Sequence, residues 1–316
     1  MLSRRADKQI IAPATSPVSV SVRELIDLAR AAHGLDLRRL RQGTNAGDHT
    51  SRLQGRGMEF DESRPYQPGD DPRSMDWRVM ARTGRPFTKV FREERERPVL
   101  FVIDLRRSMH FATRGVFKAV LAARLASILA WAAERGGDRV GGFVFSEDSH
   151  RECEPRLGRR GVLALIHDIC HAPVWNEASE PLGSAESAAL NALRGLRKVG
   201  RSGSLVLVFS DARDLSARAL AELTDLGRRN DIVFFHIVDP IDRTLPPTGH
   251  YRWTAGRRGS GSFSSSPTAA ERHRDRFTAR VETLQQALLG LRSHYHALET
   301  DADPAATLIE LYGRSR

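Results

Sequence analysis

Cysteine is scarce in this chain: the two present, Cys153 and Cys170 in 316 residues, exclude a disulfide framework and fit a reducing compartment, here the cytoplasm. Long apolar runs are absent too, and nothing approaches the roughly 20 residues needed to span a bilayer. The most apolar helical stretch, 116–133, carries Lys118, Arg124 and Ser127 and reads as a buried core helix. Residues 1–20 lack the apolar segment of a secretory signal; rich in Pro, Ser and Ala, they read as a disordered tail. No Gly-x-x-x-x-Gly-Lys-Ser/Thr phosphate loop occurs, so the chain is not expected to hydrolyse nucleotide. No Gly-x-Ser-x-Gly elbow follows a buried strand either: Gly259-Ser260-Gly261-Ser262 lies in a Gly/Ser-rich stretch, which argues against a serine hydrolase.

What is present is globular. Hydrophobic residues make up 40% and charged residues 28%, and the apolar ones gather in runs, so a core forms. Lys plus Arg number 49 against 39 Asp plus Glu, a net charge of +10. That excess favours an anionic partner, nucleic acid among them. Many arginines sit beside carboxylates, as in FREERERP at 91–98, which a salt-bridged solvated surface also explains.

Order is expected from Ser21, where Ser21 and Glu24 form a capping box for a helix ending at Gly34. The stretch 35–98 is polar, with short β-like pieces such as Phe87 to Phe91. Within 21–98 the helix and this irregular region are expected to pack on a sheet domain spanning 99–316. From Val99 the pattern alternates. Apolar runs at 99–103, 139–145, 205–209 and 232–238, with further strands near 149–154 and 294–299, are separated by helical periodicity at 115–135, 158–170, 184–198, 216–229 and 270–292, and a last helix follows Pro304. Continuous apolar strands require burial on both faces, so the expected fold is α/β, a doubly wound, mostly parallel six-stranded sheet of Rossmann-like type. Residues 256–268 read as a flexible Gly/Ser loop.

Ligands of such sheets bind beyond the carboxyl ends of the strands, where strand order reverses. Asp104 and Asp211 end two of the buried runs and face one crevice if the order is 3-2-1-4-5-6. Asp-Leu-Arg-Arg-Ser at 104–108 resembles the Asp-x-Ser-x-Ser loop of von Willebrand factor type A domains. That resemblance implies a divalent cation, Mg²⁺, held by Asp104, Ser108, Ser184 and Asp211, with a partner's carboxylate completing its shell. Arg106 stands where the family has its first Ser. Three readings stay open: a metal site, an internal pair in which Arg106 replaces the ion, or simple turn and helix capping. Asp104, Arg106, Ser108, Ser184 and Asp211 form the candidate partner-binding site.

A second group of residues is more specific. Gly55-x-Gly57-x-Glu59-Phe60, Arg64-x-Tyr66, Pro68-Gly69-Asp70-Asp71, Arg73, Asp76-Trp77, Ala81-Arg82 and Glu94 follow one another in order, and they closely resemble the family called domain of unknown function fifty-eight. Read from their chemistry alone, these acids and arginines form a polar staple, with Tyr66 and Trp77 as apolar anchors, or a docking surface; no base or nucleophile is arranged with them for catalysis. The resemblance implies a non-enzymatic, chaperone-like adaptor acting with MoxR-type AAA+ ATPases and other von Willebrand type A proteins on client complexes. A nucleic-acid-binding protein is the alternative. His167, Cys170 and His171 share a helix face but lack a fourth metal ligand, and of His294 and His296 one is expected inward and one exposed.

Overall fold

The computed structural model describes residues 16–37, 58–67, 70–93, 98–175, 184–199, 202–254 and 260–313. Gly55, Gly57, Pro68, Gly69 and Glu94 of the family motif, and the tail before Ser16, lie outside them. The chain divides into two compact units, one of residues 1–44 with 97–316 and one of residues 45–96.

Elements follow in chain order: α1 (Val22–Asp27), β1 (Met58–Pro65), α2 (Trp77–Thr83), β2 (Phe87–Glu93), β3 (Val99–Asp104), α3 (Lys118–Arg135), β4 (Arg139–Phe145), β5 (His150–Leu157), α4 (Arg159–Cys170), α5 (Ala185–Val199), β6 (Leu205–Ser210), α6 (Ala217–Gly227), β7 (Asp231–Val238), α7 (Pro240–Arg243), β8 (Gly249–Thr254), β9 (Ser260–Ser265), α8 (Pro267–Leu288), β10 (Ser293–Glu299) and α9 (Pro304–Tyr312). The large unit is built on a six-stranded sheet ordered β10-β7-β6-β3-β4-β5. All neighbours are parallel except β5, which runs antiparallel to β4 at the edge. Numbered by sequence within the sheet, this is the 3-2-1-4-5-6 order. The chain winds one way from β3 and returns to wind the other way from β6, so the switch point lies between those two strands.

Strand periodicity explains both layers. Side chains alternate faces along a strand, so Val99, Phe101 and Ile103 join Leu205, Leu207 and Phe209 under α3, α4 and α1. Leu100 and Val102 join Val206, Val208 and Phe234 under α5 and α6 on the other face. On the first face Phe101, Phe209 and Phe235 stack in sequence, with centroids 6.3 and 4.9 Å apart. Gly142 permits the β3–β4 pairing at its tightest place. Its φ is +152°, and a Cβ there would enter the backbone of Phe101.

Several expectations are corrected. The first helix belongs with the sheet unit, not with 45–96: Leu25 is fully buried in the core, and Ser127 Oγ and Trp131 Nε1 donate to its carbonyl. That helix is also shorter than expected, giving way to a 3-10 turn at Leu28–Arg30. Ser21 Oγ accepts from the Glu24 amide as a cap should, but Glu24 completes no capping box, because its carboxylate takes Arg124 Nε at 2.7 Å. Order reaches back past Ser21, where the carbonyls of Ser16 and Pro17 accept from Arg124 and from the Phe117 amide. The 256–268 loop is likewise corrected over much of its length. Ser260–Ser265 is a strand paired antiparallel with Gly249–Thr254, with Phe263 stacked on Tyr251, and α8 begins at Pro267.

Unit 45–96 is an antiparallel β1–β2 pair with α2 between its strands in sequence. Asp76 caps α2, accepting from the amides of Arg78 and Val79 and from Ser63 Oγ, and Gly84 ends the helix in the left-handed conformation. Arg64 pairs with Asp70 at 2.7 Å, and Asp71 accepts from the Arg73 amide. These polar contacts all lie within the unit. Trp77 is no anchor: it is 64% exposed. The side chains of Glu59 and Phe60 lie outside the described set, although their backbone runs in β1.

Candidate functional site at the strand ends

Because β3 and β6 are parallel neighbours, the residues that end them emerge at the same sheet edge. Asp104 closes β3 and Asp211 follows β6. Arg106 turns back onto Asp104 as a fork, Nε to Oδ1 at 2.9 Å and Nη2 to Oδ2 at 2.6 Å, while its own amide also donates to Oδ1. Ser210 Oγ donates to Oδ2 at 2.6 Å. Each Asp104 oxygen thus accepts two hydrogen bonds, which uses the whole lone-pair capacity of the carboxylate. The rest of the Arg106 fork ties distant segments together: Nη1 donates to the Ala185 carbonyl and Nη2 to the Arg213 carbonyl, both at 3.0 Å. Burial disfavours its charge, but Asp104 outweighs burial and raises the Arg106 pKa.

Asp211 is neutralised by a residue read from sequence only as an interruption of a buried helix. Lys118, at the amino end of α3, places Nζ 2.7 Å from Asp211 and 3.2 Å from Asp242. A cation at a helix amino end opposes the helix dipole, so it sits there only with anionic company. Arg213 completes the set, pairing with Asp242 and donating its amide to Asp211 Oδ1. Burial pushes the Asp211 carboxyl up, but Lys118, with Arg106 and Arg213, outweighs it and holds Asp211 well below the usual carboxylate range; Asp242 is lowered the same way. Three acids, Asp104, Asp211 and Asp242, face three bases, Arg106, Lys118 and Arg213.

His236 extends the network underneath. Its Nε2 lies 3.0 Å from the Asp211 carbonyl, and a carbonyl only accepts, so Nε2 carries the proton and Nδ1 accepts from Tyr295 at 2.6 Å. Burial holds the His236 pKa down to about 4, so the ring is neutral near pH 7. Above it the loop after β6 is strained, with Ala212 and Asp214 both at φ 53°. Such a conformation is costly for Ala and persists where its surroundings enforce it.

These contacts bear on the three readings of the sequence. Asp104, Arg106 and Asp211 come together as an internal ionic lock, each at most 1% exposed, so none of them presents an open crevice to a partner. Ser184 is the capping reading: it is exposed and accepts from the Ser187 amide at 3.4 Å. Ser108, half-buried on the turn Arg107–Met109, forms no hydrogen bond with the lock among the described residues. The donor set does not fit Mg²⁺, since both Asp104 oxygens are saturated by the Arg106 guanidinium and amide and the Ser210 hydroxyl, and Asp211 is already neutralised by the Lys118 ammonium. Among the described residues no cluster of three or more His, Cys, Asp or Glu is placed to hold a metal. His167 and His171 stack on each other at 4.1 Å, and burial pushes the Cys170 thiol up to about 12. His294 and His296 do not alternate, because positions two apart on a strand share a face; their rings lie parallel at 6.3 Å, both half-buried.

Sequence reasoning missed Lys118, Arg213, Asp242, Ser210 and His236 as members of the site. Only Lys118 left a signal, as a lone ammonium in an apolar helix. The assembly defines a class: a doubly wound α/β sheet whose switch point is closed by a charge-balanced ionic lock, buried at Asp104, Arg106, Lys118 and Asp211. Residues 62–287, more than half of the chain, match the family described as Protein of unknown function DUF58, and the chain belongs to it. It is similar to uncharacterized proteins of Mycobacterium bovis and Mycobacterium tuberculosis, each 27% identical over 292 residues that cover 92% of this chain and 90% of the relative. The crystal structure of conserved hypothetical protein BatB from Bacteroides thetaiotaomicron aligns with a TM-score of 0.41 and 13% identity over 68% of this chain and 96% of that one. Among the described residues no helix is long and apolar enough to cross a membrane.

Proposed function

We propose that the chain is a non-catalytic protein-binding module that docks its partner through the loops above the switch point, with the ionic lock setting the shape of those loops. One observation carries the reading: Arg106 holds the Ala185 and Arg213 carbonyls together, joining the start of α5 to the strained loop after β6. Burying the Arg106–Asp104 and Lys118–Asp211 pairs, with Arg213 closing the set from a partly exposed position, is a weak way to gain stability and serves to fix one arrangement of the polypeptide. Beside that loop opens a cleft of about 270 Å³ lined by Ala212, Asp214, Leu215, Leu220, Arg280 and Leu284, mostly apolar side chains with one charge of each sign. No carboxylate of the lock is left unpaired to act as base or nucleophile, which favours binding over turnover. The family resemblance makes the partner a MoxR-type AAA+ ATPase, or another von Willebrand factor type A protein, in assembly or activation of client complexes.

Titration of the purified chain with a purified MoxR-type ATPase tests this. The wild type binds, and Asp214→Arg with Arg280→Glu weakens binding by about tenfold or more, as loss of interface hot spots does. Unchanged affinity in that variant overturns the cleft as interface. The +10 charge favours one second reading, nucleic-acid binding. Association with duplex or single strands at physiological salt tighter than about 10⁻⁴ M, without ATPase binding, establishes it instead.

A further inference from the structure

The polar unit 45–96 carries a second surface, independent of the lock. Its short helix α2 reads Trp-Arg-Val-Met-Ala-Arg-Thr. Arg78 and Arg82 stand four apart with no acid in the helix, a like-charge spacing that weakens it. Arg78 also sits in the first turn, where the helix dipole disfavours a cation. The helix is held at its ends instead, by the Asp76 cap and by Gly84. Its first residue, Trp77, leaves 64% of its surface in water. An indole is among the most expensive side chains to leave so exposed and among the most frequent at interface centres.

These residues converge. Trp77, Arg78, Val79, Arg82 and, from β2, Lys89 line with Asp76 an open cavity of about 740 Å³. The one acid present is spent internally: Asp76 accepts from Ser63 Oγ and two helix amides. Asp70 next to it is taken by Arg64, the Gln67 amide and Thr88. Among the described residues Arg78, Arg82 and Lys89 have no ion pair. Arg78 and Arg82 therefore flank an exposed aromatic face with no ion pair among the described residues, and Lys89 adds a third cation whose charge already acts on Asp76.

We infer that this cavity is a docking site for an acidic segment of a partner protein, whose carboxylates meet the Arg78 and Arg82 forks and Lys89 while an apolar side chain covers the Trp77 indole. Guanidinium forks match carboxylates in geometry as well as charge, and a desolvated aromatic anchor inside a charged rim is the usual anatomy of a protein interface. A nucleic-acid strand fits less well. Sequence-tolerant strand binding uses several aromatic platforms along a basic track, whereas here one indole sits in a compact cluster of cations.

The test uses the full chain and a fluorescent peptide of Glu and Asp around one Phe, with a single-stranded oligonucleotide of similar charge as competitor. The peptide is expected to bind, to weaken as salt rises, and to lose about tenfold or more in affinity in Trp77→Ala and in Arg78→Glu/Arg82→Glu. Asp214→Arg is expected to leave it unchanged, which separates this site from the cleft at the switch point. Trp77→Ala alters an exposed side chain, and Arg78→Gln/Arg82→Gln serves if charge reversal disturbs the fold. Absence of peptide binding, equal binding by all variants, or tighter binding of the oligonucleotide at the same residues overturns the inference.

Discussion

Replacement of Lys118 by Met keeps the length and apolar stem of the side chain and removes only its charge. In the folded chain the Lys118 side chain is 1% exposed, and its Nζ is shared between Asp211 at 2.7 Å and Asp242 at 3.2 Å. Its loss leaves Asp242 with Arg213 as its main counter-ion and Asp211 with only the more remote charges of Arg106, already committed to Asp104, and Arg213, whose Nε is 3.8 Å away. Breaking a buried pair from one side costs about 3–5 kcal/mol, because the remaining charge is uncompensated. For a unit of this size each kcal/mol moves the melting temperature by about 2–4 °C, so the expected fall is about 6–20 °C. The sign with pH follows from the lowered carboxyls of Asp211 and Asp242. Such groups stabilise the fold above the ordinary carboxylate range of about 4 and lose that contribution as pH falls through their lowered values. Without Lys118 burial prevails and raises both, so the deficit of the variant is full at neutral pH and narrows toward about pH 4. Adding Asp211→Asn recovers part of it. Urea unfolding followed by circular dichroism at both pH values measures this; a loss under about 1 kcal/mol, or one equal at both, refutes the account of the lock.

Arg106→Lys keeps the charge but not the fork, so it is expected to lose about 1–3 kcal/mol by the same unfolding assay, since an ammonium cannot reproduce the paired bonds to Asp104 or bridge the Ala185 and Arg213 carbonyls. Gly142→Ala drives a methyl into the Phe101 backbone between two central strands, and expression with loss of the cooperative melting transition is the expected outcome; a native-like melt contradicts the β3–β4 register. Ala212→Gly relieves a φ of 53°, and the left-handed cost removed exceeds the entropy added to the unfolded chain by a few tenths to about 1 kcal/mol; thermal unfolding that shows destabilisation contradicts strain at that loop.

Much of the sheet was legible because its strands are buried on both faces. VLFVI at 99–103 and LVLVF at 205–209 have no polar residue to place in water, so they fit only a covered parallel sheet, and the Asp after each run marks its carboxyl end. The hairpin partner Ser260–Ser265 was hidden by composition. Its SGSFSS sequence reads as a linker, and it becomes a strand through pairing with Gly249–Thr254 and the contact of Phe263 with Tyr251. At the site, Asp104, Arg106 and Asp211 were legible from strand ends and from a loop resemblance. Arg213 and Asp242 were not, since 29 positions separate them and only the fold brings their charges together. Trp77 was misjudged for a general reason: sequence shows that an aromatic is present, and not whether anything covers it.

Calorimetric titration of the purified chain with Mg²⁺ tests the central claim most directly. The account predicts no stoichiometric heat at millimolar ion, because Arg106 and Lys118 already neutralise Asp104 and Asp211. Saturable one-to-one binding that disappears in Asp104→Ala contradicts it, and shows that a cation displaces Arg106 from the switch point.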